Sequence, residues 1–242
     1  MRCKTRIGVG THFARRTLDS DCTARMRCGT VGVLMTLAER AESYHRVFPD
    51  WPPPRTDARW LDGVWVLGND YRNKSPLYGA FPPGLLKRVF ALFPDAKRVL
   101  HVFSGSLSYD QVSDAWSDTH STVTHPIQLR LDNGVMKEAA MANPDVVCDA
   151  IELSKHVAKK SDLVIADPPY DPSDAVKYGV KLPNKRKVLA EIAKVTAPGG
   201  NLVWLDTSLP MFAKRDWSWW GAVAIVRSTT HRVRLLSMFE KT

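Results

Sequence analysis

The sequence predicts an α/β fold, a mostly parallel sheet with helices on both faces. Two observations carry that expectation. From about residue 56 onward, short apolar runs that read as strands alternate with stretches of helical spacing, and such alternation builds parallel sheets covered on both sides. The strand-like runs also end in a glycine turn or an acid, at Gly105, Asp132, Asp149 and Asp167. In open α/β sheets, ligands sit at the carboxyl ends of the strands.

Composition supports a globular chain. The 242 residues are 44% hydrophobic and 24% charged, which is ordinary and allows one full domain plus an extra segment. The longest apolar run, Val31 to Ala38, falls well short of the ~20 residues of a membrane span. Cys3, Cys22, Cys28 and Cys148 form neither a CxxC nor a Cys/His zinc pattern. Reduced thiols in a cytoplasmic protein are therefore expected, with no metal. Residues 1–30 hold seven basic and two acidic residues and supply +5 of the net charge of +9. A basic arm of this kind attracts polyanions such as nucleic acid; it equally fits a solvated tail, a transit-peptide-like leader or read-through from an early start.

Residues 31–48 carry apolar positions at helical spacing (Val33, Leu34, Leu37, Ala38, Ala41, Tyr44), and the proline run to Pro54 ends them, because proline lacks the N–H and restricts its predecessor. This predicts a basic N-terminal extension over 1–55, partly disordered or helical, and a main domain over 56–242. Within that domain, strands are expected at 60–67, 98–103, 127–131, 146–148, 163–166 and 201–205, with a closing pair at 222–226 and 234–239. Helices are expected at 85–93, 150–159 and 187–195, the last stopped by Pro198-Gly199-Gly200.

Three strand ends suggest chemistry. Gly105, within Ser104-Gly105-Ser106, allows close approach of backbone to a ligand. Asp132 lies 27 residues further on, where an acid can accept both hydroxyls of a ribose; an ordinary Asp-Asn-Gly turn is the plainer reading. The third, Asp167-Pro168-Pro169-Tyr170, directly follows the apolar run Leu163 to Ala166. Its prolines stiffen a short loop and leave carbonyls free. Its carboxylate is a pure acceptor, so loop and acid together can accept both hydrogens of an exocyclic amine. Its tyrosine offers a face on which a planar base stacks.

On these residues the chain resembles the class I S-adenosylmethionine (SAM)-dependent amino-methyltransferases, the DNA adenine-N6 and cytosine-N4 enzymes. Asp167 to Tyr170 matches their DPPY motif, Phe103-Ser104-Gly105-Ser106 resembles their SAM-binding motif, and Tyr78-Gly79-Ala80-Phe81-Pro82-Pro83 resembles the segment that helps close the SAM pocket. Leu107 stands where the family usually has a further glycine. The resemblance spans roughly residues 70–242. It implies a Rossmann-like, seven-stranded sheet whose last strand is antiparallel, with SAM as cofactor and nucleic acid, double-stranded DNA above all, as partner. It implies that Tyr78, Phe103, Ser104, Gly105 and Ser106 line the SAM site, that Asp132 holds the ribose, and that Asp149 and Ala150 lie near the adenine ring. Asp167 and the Pro168 carbonyl would accept from the target amine, with Pro169 stiffening the loop and Tyr170 stacking on the base. Two basic and aromatic segments, Lys177 to Lys187 and Lys214 to Trp220, suit phosphate contact and stacking. A methyltransferase acting on RNA bases and a non-catalytic nucleic-acid-binding protein are the competing expectations. A nicotinamide-dependent dehydrogenase fits less well, since the full GxGxxG is missing.

Overall fold

The computed structural model describes residues 35–68, 81–82, 84–104, 119–124, 129–130, 136–137, 145–228 and 232–242, the backbone alone for 119–124, 129–130 and 136–137. All of them fall within one compact unit, Leu34–Thr242.

Helix α1 (Leu37–Val47) opens with a capping box: the Thr36 hydroxyl accepts from the Glu39 N–H, and the Glu39 carboxylate accepts from the Thr36 N–H at 2.7 Å. This satisfies two N–H groups that a helix start otherwise leaves unpaired. His45 and Arg46 in its last turn suit the negative end of the helix dipole. Strands β1 (Arg55–Thr56) and β2 (Leu61–Leu67) follow the proline run, then helix α2 (Leu85–Leu92) and strand β3 (Arg98–Val102). Next come β4 (Thr119–Thr124), β5 (Leu129–Arg130), β6 (Met136–Lys137) and β7 (Val146–Val147). A 3₁₀ turn (Ala150–Glu152) leads into the single-turn helix α3 (Leu153–His156). The remainder is β8 (Ser161–Ala166), α4 (Pro172–Lys177), α5 (Lys185–Val195), β9 (Thr196–Asp206), β10 (Trp217–Arg227) and β11 (Val233–Lys241).

Among the described residues, nine strands form one sheet in the order β1-β2-β10-β11-β9-β8-β3-β4-β7, and β5 pairs with β6 apart from it. The sheet is mixed rather than mostly parallel. Strands β7, β4, β3, β8 and β9 all run the same way, as do β2 and β10. Three pairings are antiparallel: β1 with β2, and β11 with both β9 and β10. The reason lies in the connections. β1–β2 and β10–β11 are joined by short segments, which force neighbours to run in opposite directions, whereas parallel neighbours need a long crossover. The last strand, β11, is thus antiparallel to both its neighbours.

A second difference concerns the partner of β3. The strand beside it is β4, Thr119–Thr124, where no strand was expected; within the expected 127–131, Leu129–Arg130 is a strand and pairs with Met136–Lys137. The polar, threonine-rich 119–124 lacks the apolar run that marks a buried strand. A third concerns Pro198-Gly199-Gly200, which lies inside β9 as a bulge: the β8 register steps from Ser161↔Thr196 to Leu163↔Asn201. Gly199 has φ 71°, and a Cβ on Gly200 would stand 2.9 Å from the Ala197 carbonyl oxygen and 3.1 Å from that of Asp162. Only glycine fits there.

Successive strand residues feed separate cores, as a period of two requires. Leu163 and Ile165 pack with Val203, Leu205 and the α2 residues Leu85, Val89 and Phe90. Their neighbours Val164 and Ala166 pack with Leu202, Trp204 and the α5 residues Val188, Leu189 and Ile192. Helix α1 belongs to the first core through Tyr44, which stacks on Trp65 at 5.5 Å. No described helix is long and apolar enough to cross a membrane.

Candidate active site

The parallel strands bring two of the sequence motifs side by side. Val102 pairs with Ala166, so the next residues, Phe103 and Asp167, leave adjacent strand ends together, and the Asp167 N–H reaches the Val102 carbonyl at 3.4 Å. Phe103 is buried with φ 59°. A bulky side chain in the left-handed region costs on the order of 1–3 kcal/mol and persists only where surrounding packing imposes it; here the chain must turn sharply off β3. Ser104 beside it is also buried.

The loop Asp167 to Tyr170 is pinned at both ends. β8, hydrogen-bonded to β3 and β9, delivers Asp167 to the sheet edge. Immediately beyond Tyr170, Asp171 caps α4: its carboxylate accepts from the Asp174 N–H at 2.9 Å and the Ser173 hydroxyl at 2.7 Å. These bonds hold that carboxyl below its usual pKa. Pro172 at the first helical position is preorganised for the turn. Pro168 is buried, while Asp167, Pro169 and Tyr170 keep part of their surface open.

Within the loop, the Tyr170 hydroxyl donates to Asp167 Oδ1 at 2.6 Å. Burial raises the Asp167 pKa from 3.8 to about 6, with Asp206 and Asp174 adding to the rise, while Arg234 and the Tyr170 hydroxyl oppose it. Burial and the Asp167 charge push Tyr170 well above its ordinary value. The Arg234 guanidinium lies over the Tyr170 ring, 4.8 Å from its centroid.

Asp206 ends β9, the strand next to β8, and is fully buried. Lys185 Nζ sits 2.6 Å from its carboxylate and also donates to the Tyr170 carbonyl at 3.1 Å. The same carboxylate accepts from Trp204 Nε1 at 3.1 Å and the Thr207 N–H at 2.7 Å. Lys185 therefore ties the loop to the neighbouring strand end rather than serving as a free phosphate contact. Lys177 is likewise engaged, 2.9 Å from Asp174. Of the tryptophans grouped with these cations, Trp217 and Trp220 are core residues, and Trp219 packs edge-on against Trp60 at 4.7 Å.

Asp149 follows β7 at the same carboxyl edge, and its carboxylate accepts from the Ile151 N–H at 3.1 Å, capping the 3₁₀ turn. Ala150 is buried beside it. With neighbouring strands ~4.8 Å apart, β7 stands roughly 10 Å from β3 across the sheet. Tyr78, Gly105, Ser106 and Asp132 lie outside the described residues. His101, mid-β3, is buried with its ring 6.4 Å from Phe90. Among the described residues, no group of three or more His, Cys, Asp or Glu is placed to hold a metal ion.

Arg234 is the site residue that local sequence does not announce. It is the second residue of β11, and only the register of β11 on β9, with Leu235 opposite Asp206, carries it to the loop.

No family model and no curated protein matches this sequence. Solved structures with similar shape include TrmN from Thermus thermophilus, at 20% identity and TM-score 0.46 over 68% of this chain and 50% of that one. A putative methyltransferase, yhhF, from Escherichia coli gives 13% and 0.41 over 74% of this chain and 97% of that one. The N-methyltransferase NodS from Bradyrhizobium japonicum WM9, solved with S-adenosyl-L-homocysteine, gives 12% and 0.39 over 64% and 83%. The chain thus spans half the length of the Thermus protein. At TM-scores below 0.5, what this chain binds has to be read from its own residues.

Proposed function

We propose that the protein transfers a methyl group from SAM to the exocyclic amino group of a nucleic-acid base, with adenine N6 in DNA as the target that the DPPY resemblance favours. One observation carries this reading: a stiff, acceptor-rich loop, Asp167 to Tyr170, stands at the end of β8 directly beside the turn that leaves β3.

Phe103, Ser104 and Asp149 follow β3 and β7 at the carboxyl edge of the sheet, which supports a cofactor site there. We assign Phe103, Ser104 and the Gly105 turn to its methionine part, Asp149 and Ala150 to the adenine side, Asp132 to the ribose and Tyr78 to the closing segment. When bound, SAM supplies an electrophilic methyl group. The chain supplies everything else. Above pH about 6, the Asp167 carboxylate and the Pro168 carbonyl accept the two amine hydrogens. That pairing favours a pyramidal nitrogen with its lone pair localised and aimed. Tyr170 holds the base plane. Rate then comes from placement and from preset acceptors. The proton released from the methylated nitrogen has Asp167 as acceptor, and a pKa near the working pH suits that role. In duplex DNA the base first leaves the stack, at a cost of about a few kcal/mol.

The test is Asp167→Ala, assayed for methyl transfer and, separately, for SAM affinity by calorimetry. Methyl transfer falls at least a hundredfold while SAM affinity stays within a few-fold; near-normal turnover would remove Asp167 from the chemistry. Mass spectrometry of nucleosides from DNA and RNA incubated with the enzyme reads the target. N6-methyladenine in DNA is expected, and a methylated amine confined to RNA would replace the substrate while keeping the clamp. Failure of the intact chain to bind SAM would leave only a nucleic-acid-binding protein.

A further inference from the structure

We infer that the groove between α5 and the turn at 213–217 is a phosphate subsite, holding the backbone of the nucleic acid whose base meets the Asp167 to Tyr170 loop. This inference rests on the function proposed above. The groove, of about 310 Å³, has Arg186 on one wall and Lys214 and Arg215 on the other, with Leu189 and Trp217 between them and Asp216 as its one acid.

Three features separate this groove from an ordinary charged surface. First, two of its three cations are uncommitted. Lys155, Lys177, Lys185 and Lys194 each have a carboxylate within 2.9 Å. Arg186 and Lys214 have no ion pair among the described residues, and Arg215 meets Asp216 only at 3.6 Å with its side chain 86% exposed. Second, the walls are fixed. Trp217 Nε1 donates to the Leu189 carbonyl at 3.3 Å, tying the turn to α5. The Asp216 and Trp217 N–H groups both return to the Ala213 carbonyl, at 2.9 and 3.0 Å. Thr242 clamps the turn from outside, its hydroxyl on the Arg215 carbonyl at 2.6 Å and its N–H on that of Asp216 at 3.2 Å. Cations on a rigid frame lose less freedom on binding than cations on a loose loop. Third, the groove adjoins the site: Arg186 follows Lys185, which holds the Tyr170 carbonyl. Arg186 is thereby one residue along α5 from the side chain that holds the Asp167–Tyr170 loop. Phosphate contacts of this kind set register without reading sequence.

The test measures binding of a fluorescent oligonucleotide to the full chain with no methyl donor present, as duplex DNA and as single-stranded RNA, over a series of salt concentrations. The combined variant Arg186→Gln, Lys214→Gln, Arg215→Gln is expected to bind at least tenfold more weakly. Its log–log salt slope should shrink by about 2 to 3, since each phosphate contact contributes roughly 0.7 to 0.9. Asp216→Asn, which removes the lone acid, should tighten binding. SAM affinity and melting temperature, measured on the same variants, confirm that the fold is intact. Affinity and slope equal to the parent's on both nucleic acids would overturn the inference, as would a loss seen only with an acidic peptide. Because no methyl transfer is read, an inactive protein whose salt slope still depends on these three residues would refute the proposed activity and leave the groove standing.

Discussion

Arg88 and Arg234 both lay a guanidinium over aromatic rings, and the difference between their surroundings separates scaffold from chemistry. Arg88 is buried against four rings, Phe48 at 4.5 Å, Trp51 at 5.0 Å, Tyr44 at 5.7 Å and Trp65 at 5.8 Å, and it donates to the Tyr44 hydroxyl. Its rings come from α1, the chain beyond it and β2, so one cation ties three segments together. Burial lowers its pKa, and the ring faces offset the lost water. Arg234 has one ring, Tyr170, and acts on the charge of Asp167 behind it. A cation held among rings alone fixes packing; a cation beside a half-buried carboxylate sets when that carboxylate is charged.

That contrast can be broken by substitution. The largest effect on stability belongs to Arg88→Ala, which removes a stack shared by four rings and should destabilise the protein by about 3 kcal/mol in urea unfolding, through lost packing as much as lost charge. Arg88→Lys recovers little of this, because a point charge cannot lie flat on the rings. An unchanged urea midpoint would reduce the cage to a surface contact.

A smaller effect is expected at Asp167, and it depends on pH. Its folded pKa, about 6, stands above the ordinary 3.8, so between these values the folded state holds more protons than the unfolded. Stability from the protonated form is present below 3.8 and is lost as pH rises through 6. Asp167→Asn should therefore stabilise the protein by about 1–2 kcal/mol at pH 7.5 and hardly at all at pH 3.5, a reduced figure because Asp167 keeps some surface exposed. Thermal melts at the two pH values read the difference, and an equal shift at both would deny the carboxyl its raised pKa.

The smallest effect on stability belongs to Arg234→Met, within about 1 kcal/mol, because one partly exposed cation leaves the core intact. Its signature lies in the pH–rate profile. Without the cation that opposes burial, the acid limb moves to higher pH, and the rate at pH 6 falls by about fivefold for the first unit moved and about tenfold for each further one. Arg234→Lys should pull the limb partway back. A profile unmoved by Arg234→Met would make the stacking on Tyr170 structural, like that of Arg88.

The elements legible in the sequence are those with local causes. The capping residues of α1, the apolar run of β8 and the two prolines after it are read in one short window, and Asp167 stands in the structure where that window puts it. The strand beside β3 was not legible for the complementary reason. β4 is held by its hydrogen bonds to β3 on one side and β7 on the other, and a polar strand sandwiched between neighbours leaves no apolar signature.

The sequence by itself determined that a stiff acceptor loop follows a buried strand, because proline geometry and apolar runs act within a few residues of their cause. Only the tertiary structure decided which charges face that loop. Lys185 meets Asp206, and Arg234 meets Tyr170, through the packing of α5 and the register of β11 on β9. Such pairings link residues far apart in the chain and are set by the sheet as a whole, so no local pattern encodes them.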